Sequence, residues 1–282
     1  MIQAIASFLG MIIRVIYNLV NQNYLLSILI FTLLTKLILL PLTLGQIKLT
    51  KKLQEVTPLD QKIREKYKND QQKMAEELTK LYSEYKINPL GGCLPLLIQF
   101  PIIIAMFFIV RQPLTYITQT PHEEIVQYTK DYLGKEEVDE NEVKANEIVI
   151  AQEQGIINMK LFGNVNLGDI PSNSFSKDEA KKVSKLTLLV PILSFLFSLL
   201  QTKLQKNSTQ MTEDQQEMQK SMNIMLPLLN AFIAYTWPIT LGIYYLFSNI
   251  LGVIQQEFIN KVILKKGNNK KEEVLKLGKG GK

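Results

Sequence analysis

The chain has 282 residues, 46% apolar and 21% charged, with a formal net charge of +6. Those totals fit a soluble protein, but their distribution excludes one: long apolar stretches alternate with stretches dense in Lys and Glu, and a spanning helix needs about 20 mostly apolar residues. One cysteine, Cys93, rules out an intramolecular disulfide, and one histidine, His122 in a polar loop, leaves no basis for a His/Cys metal site.

The first segment, Met1 to Val20, is apolar with Arg14 embedded, and it lacks the charged start and small-residue cleavage site of a signal peptide. It reads either as an extra span or as a helix lying in the membrane interface. Arg14, Asn18, Asn21 and Asn23 favour an N-terminal interfacial helix over residues 1–23. A five-helix core over residues 24–258 follows, with spans predicted at Tyr24–Leu44, Leu94–Val110, Leu186–Leu200, Met222–Trp237 and Ile239–Ile254. The last two are joined at Trp237-Pro238. Residues 46–88, between the first two spans, read as a charged helical hairpin. Thr57-Pro58 has the form of an N-cap followed by proline at the first helical position. Asp70 can cap a second helix whose Met74, Leu78, Leu81, Tyr82 and Tyr85 form a stripe. The hairpin is either a solvated connector or a surface that touches substrate or ribosome.

The predicted fold class is therefore an all-α integral membrane protein with five transmembrane helices, a cytoplasmic helical hairpin and an N-terminal interfacial helix. Orientation follows from Lys and Arg near the spans. The hairpin and the tail over residues 259–282 are rich in Lys, whereas the loop over residues 112–184 carries Glu123, Glu124, Asp131, Glu136, Glu137, Asp139, Glu140 and Glu142. Five spans put the hairpin and the basic tail in the cytoplasm and the acidic loop and N-terminus outside.

One ionisable residue stands alone inside a span: Lys36, in the run Phe31 to Pro41. A Lys at a helix centre costs on the order of 2.5–3.5 kcal/mol on insertion scales. Leu44 lies eight residues on, about 12 Å along a helix, too far for the Lys stem to bridge comfortably. Lys36 is expected to face a wet cavity, with Thr32 and Thr35 on nearby faces and Pro41 freeing the carbonyl of Leu37. No carboxylate sits in a predicted span to neutralise it, so the charge reads as a binding site for negative groups. Gln99, Gln201, Asn223, Thr236, Thr240, Ser248 and Asn249 each suit a helix–helix hydrogen bond and together suit one hydrated surface. Met211, Met218, Met222 and Met225 border the fourth span, where adaptable Met side chains suit varied apolar partners or ordinary packing.

At this point the residues resemble a family. Phe31 to Pro41, the run from Thr57-Pro58 to Lys66-Tyr67, and Asn88-Pro89-Leu90-Gly91-Gly92-Cys93-Leu94-Pro95 with Gln99-Phe100-Pro101 are similar to the YidC family of insertases, which includes the mitochondrial Oxa and chloroplast Alb relatives. Gln201 to Leu204, Met225-Leu226-Pro227 and Trp237-Pro238 through Tyr244-Tyr245 to Ser248-Asn249 extend the likeness. The resemblance implies a hydrophilic groove open to cytoplasm and lipid, and insertion of nascent membrane proteins without a cofactor or enzymatic chemistry, alone or with the Sec translocon. It implies groove residues Lys36, Gln201 and Tyr245, with Lys36 where the family usually has Arg and Tyr245 where many relatives have Trp; Thr32 and Gln99 join them from the polar positions read above. Expected partners are the ribosome, met by the basic tail and cytoplasmic loops, and anionic lipids. The expected location is a bacterial cell membrane. The lipoprotein signal with which bacterial relatives of this size often begin is not seen, a departure from the family; a large outer domain before the first span is not seen either, which points to a Gram-positive or related bacterium. A solute transporter or channel is the rival class, though repeated halves and intramembrane carboxylates are not evident.

Overall fold

In the computed structural model, residues 2–87, 94–178, 182–206, 213–259 and 261 are described. The Asn88–Cys93 motif and almost all of the basic tail lie outside them, as do the side chains of Met211, Met218 and Met222. The chain is mostly helical. Helices α1 (Ile2–Leu19), α2 (Tyr24–Lys66), α3 (Gln71–Glu84), α4 (Leu94–Arg111), α5 (His122–Leu133), α6 (Glu140–Glu153), α7 (Leu189–Lys206), α8 (Glu213–Thr236) and α9 (Ile239–Ile259) follow in order. Three segments, Ile2–Leu19, Tyr24–Leu49 and Lys185–Leu204, are long and apolar enough to cross a membrane, and Gln99–Arg111 and Asn223–Thr236 are shorter apolar helices.

α1 buries Ala6, Gly10, Ile13, Ile16 and Tyr17, one face at helical spacing, against α4, α2 and a π-turn at Leu114–Thr118. A Cβ on Gly10 would lie 3.1 Å from the Cβ and the carbonyl oxygen of Tyr116, so glycine permits this close approach. The chain reverses through Asn21 and Gln22, both at positive φ, and Asn23 caps α2 by accepting from the Leu26 N–H.

The expected helix start at Thr57-Pro58 is not found. α2 runs unbroken from Tyr24 to Lys66 with Pro41 and Pro58 inside it. Thr57 is an interior residue whose hydroxyl donates to the Leu53 carbonyl at 2.8 Å, and Pro58 costs the helix one backbone donor. The second hairpin helix does start at Asp70, whose side chain accepts from the Lys73 N–H. α3 folds back on the far end of α2 over a small core of Val56, Leu81 and Ile87. Above this core, buried Asp60 accepts from Arg64 Nε at 2.6 Å and from the Tyr82 hydroxyl, a pair of bonds that fastens the two arms. Burial and the Asp60 carboxylate push the Tyr82 phenol up to about 12, so it remains a donor.

At the bundle's other helices, α7 is the hub. Ser194 Oγ donates to the Gly242 carbonyl, Asn249 Nδ2 to the Ser194 carbonyl and Asn230 Nδ2 to Ser198 Oγ, which ties α7 to α9 and α8 by polar bonds between helices. The joint between α8 and α9 falls at Trp237-Pro238, as read from the sequence. Trp237 packs against Phe107 of α4 with ring centroids 4.4 Å apart.

The acidic loop is a folded unit. Most of its charges are outside, with Glu147 the buried exception; Ile125, Val143, Ile148, Ile150, Ala151, Ile157, Met159, Val165 and Leu167 join the main core. It also contains the one departure from the all-α class among the described residues: strands β1 (Lys160–Phe162) and β2 (Val165–Asn166) form an antiparallel ribbon. Gly163 takes φ +55° at the first position of the two-residue turn, where a type II′ turn demands positive φ. The carbonyls of Asp169 and Leu167 accept from the N–H groups of Ile239 and Thr240, so this unit satisfies the free amides at the start of α9.

Glu147 of α6 is 1% exposed and accepts from both the N–H (3.0 Å) and the hydroxyl (2.8 Å) of Thr115 in the π-turn. Desolvation outweighs these bonds and pushes its carboxyl up to about 7. A raised folded-state value means that the native state holds the proton more tightly than the unfolded chain. The resulting stability is full below the unfolded value near 4.5 and is lost as pH rises through about 7. The thermal midpoint of the purified protein is therefore expected to fall by several degrees between pH 5 and pH 8, and Glu147→Gln should flatten that profile. Identical pH profiles for wild type and variant would show that Glu147 does not set it.

Candidate functional site

Polar residues on four helices converge on a cavity of about 200 Å³ inside the apolar bundle, against roughly 30 Å³ for a water in the liquid. From α2 come Thr32, Thr35, Lys36, Thr43 and Gln46, a stripe at intervals of three and four residues. The facing stripe on α9 is Tyr244, Ser248, Gly252, Gln255 and Gln256, and α4 and α7 each supply one glutamine, Gln99 and Gln201. On the acidic-unit side the cavity ends where Tyr24, Ile28 and Phe31 of α2 and Ile239 and Leu241 of α9 are packed and buried.

Lys36 is half-buried, while Leu33, Leu34, Leu37 and Ile38 on the other faces of the same turn are exposed at the bundle surface. Helix geometry thus turns the ammonium inward and the leucines outward. Among the described residues, no carboxylate lines the cavity and no ion pair reaches Lys36. The hydroxyls of Thr32, Thr35 and Thr43 donate to the carbonyls of Ile28, Phe31 and Leu39, at 2.6, 2.8 and 3.1 Å. Their protons are committed to the helix, so toward the cavity these oxygens act as acceptors. Gln99 Nε2 donates to the Tyr244 hydroxyl at 3.4 Å. The Gln201 amide occupies the space that a side chain at position 252 would take, within 2.5–2.9 Å of an added Cβ.

The structure thus brings Lys36, Thr32, Gln99 and Gln201 together, and it does not bring Tyr245 to them. Tyr245 is 4% exposed and lies in the core, with its ring against that of Tyr244 at 5.5 Å. Tyr244, and not Tyr245, is on the cavity wall, close to the line of Gln255 eleven residues on. Gln46, Gln255 and Gln256 escaped the sequence reading because they sit at or beyond the predicted span ends. The available signal was the i, i+4, i+8, i+11 polar spacing from Tyr244 to Gln255.

A family model described as "60Kd inner membrane protein" matches residues 15–266. The chain is 31% identical over 260 residues to a protein of Fusobacterium nucleatum subsp. nucleatum named "Membrane protein insertase YidC", covering 87% of this chain and 97% of that one. A protein of the same name from Clostridium perfringens is 28% identical over 258 residues, covering 90% and 85% of the two chains. A third, from Geobacter metallireducens, is 28% identical over 243 residues, and there the match spans 34% of a much longer chain.

Proposed function

We infer function from one premise: this chain belongs to the YidC family of membrane protein insertases, by the family match over residues 15–266 and by its near full-length relative. It is a membrane protein of a family that is not enzymatic. We propose that it moves nascent hydrophobic segments from the cytoplasm into the bilayer, with the polar cavity as the groove that receives their hydrophilic parts. The observation that carries this reading is a half-buried lysine in a polar cavity that no carboxylate lines among the described residues. An ammonium left without an anion attracts an acidic or polar flanking segment into the membrane interior and shortens the dry distance that the segment must cross. The apolar part then partitions sideways into lipid, driven by burial of its side chains in hydrocarbon. A membrane potential negative inside pulls a negative segment outward at about 2.3 kcal/mol per charge per 100 mV.

On this reading the Lys-rich hairpin and tail face the cytoplasm, where they meet ribosome and anionic lipid, and the acidic unit faces outward. α1 lies in the outer interface, with Arg14 and Asn18 toward headgroups, and the Sec translocon is an optional partner. The test is complementation of an insertase-depleted bacterium by this chain, together with a photo-crosslinker at position 36 during synthesis of a short membrane protein. Growth with crosslinks to the nascent chain supports the reading. Failure to complement, with the chain present in the membrane, ends it.

Gly252→Ala is expected to lower insertion several-fold while leaving the thermal midpoint within a few degrees, because the new methyl displaces only the end of the flexible Gln201 side chain. Unchanged insertion would remove Gln201 from the working groove.

A further inference from the structure

The cavity wall is richer in one chemistry than attraction of an acidic segment requires. Gln46, Gln99, Gln201, Gln255 and Gln256 line it from four different helices, around Lys36, the single cation there among the described residues. A lysine offers donors only, whereas each glutamine offers two donors and an acceptor, the same pairing groups that a peptide bond carries. Gln255 Nε2 is buried without a protein acceptor, and Gly252 leaves the room that the Gln201 amide occupies. The α2 stripe runs from Thr32 to Gln46, about 21 Å of helix axis. That length matches about six residues of extended chain at roughly 3.3 Å each.

A chain entering the bilayer before it has coiled presents an N–H and a C=O at every residue. Leaving such a group unpaired in an apolar medium is costly, and the cost recurs at each residue, whereas an acidic side chain adds its cost once. Within lipid, only a helix or closed barrel satisfies these groups internally. A wall that both donates and accepts answers this recurring cost.

We propose that the cavity is a binding site for the main chain of a non-helical peptide segment, a few residues at a time along a run of about six, recognised through its peptide groups whatever its side-chain charge. This rests on the insertase reading and specifies which part of the substrate the cavity holds. It also supplies a release rule. A segment that has coiled into a helix has paired its own N–H and C=O groups, gains nothing from the glutamines, and leaves for lipid.

The experiment is cell-free synthesis into liposomes containing the full-length protein. Single-span substrates carry a translocated tail free of acidic residues, with either ordinary amide bonds or six consecutive ester bonds introduced as hydroxy acids. An ester lacks the N–H donor and accepts more weakly, yet it crosses lipid more cheaply than an amide. Main-chain recognition therefore predicts at least fivefold poorer insertion of the ester tail by the wild type. Passive crossing or charge-only attraction predicts equal or better insertion, and that result overturns the proposal without touching the insertase reading. The triple variant Gln46→Leu/Gln255→Leu/Gln256→Leu is expected to insert the amide tail at least fivefold less well and to lose the amide–ester difference; wild-type handling of the amide tail by a folded triple variant overturns the proposal as well. If the wild type gives no insertion above empty liposomes even for an acidic-tailed substrate, the insertase reading falls, and this proposal with it.

Discussion

Lys36→Ala and Lys36→Glu are expected to reduce insertion of acidic-tailed substrates at least tenfold and to fail in complementation, whereas Lys36→Arg retains function. The reason is that the cavity contains no other cation among the described residues, so nothing substitutes for the lost charge. Arg keeps that charge and adds a planar fork able to grip a carboxylate with two bonds. A second readout separates function from folding. A partly buried charge without a counter-ion costs on the order of 2.5–3.5 kcal/mol on insertion scales, so Lys36→Met is expected to hold or raise the thermal midpoint while it removes activity. Stability gained with function lost is the pattern of a strained functional site. Wild-type insertion by both Lys36→Ala and Lys36→Glu would mean that the charge has no part in the reaction.

Asp60→Ala is expected to loosen the hairpin by about 2–4 kcal/mol: bonds to a charged acceptor contribute roughly 1.5–3 kcal/mol each, and solvent at the partly exposed Arg64 brings its bond below that range. Asp60 is 2% exposed and touches both Arg64 on its own helix and Tyr82 on α3. The effect is local. α3 packs mainly on α2, so amide exchange should speed by about 30-fold or more across Gln71–Glu84 while the spanning helices keep their protection. Tyr82→Phe, which removes one donor, should give a smaller change in the same amides. Uniform loss of protection through the bundle would show instead that the hairpin and the spans unfold together.

Much of the site was legible because burying polar groups in an apolar stretch is costly and therefore conspicuous. Lys36, Thr32, Gln99 and Gln201 stand out against their neighbours, and the structure gathers them around one cavity. Tyr244 and Tyr245 could not be separated by composition or by their spacing to Ser248 and Gly252; only the packing of α9 against its neighbours decides which one lines the cavity. Gln255 and Gln256 sit where hydropathy fades at the end of α9, so a boundary drawn on hydropathy discards them. The Thr57-Pro58 pair carries a real start signal, yet α2 continues through it: the Thr57 hydroxyl bonds back to the Leu53 carbonyl instead of capping a new helix, and Val56 is buried under α3. In the acidic unit the dense surface charge masked apolar positions such as Ile148, Ile150 and Val165, whose packing partners lie far along the chain.

The continuity of α2 has a mechanical consequence. Pro41 lies inside this helix between Lys36 and Gln46, and proline cannot donate to the carbonyl four residues back, so it is a soft link between the apolar half of the rod and the charged half that carries the hairpin. Thr32, Thr35 and Lys36 stand on one side of that link; Thr43, Gln46 and the whole hairpin stand on the other. A load on the hairpin, some tens of ångströms from the charge at 1.5 Å per residue, is therefore expected to bend the rod near Pro41 and so to alter the width of the cavity along α2.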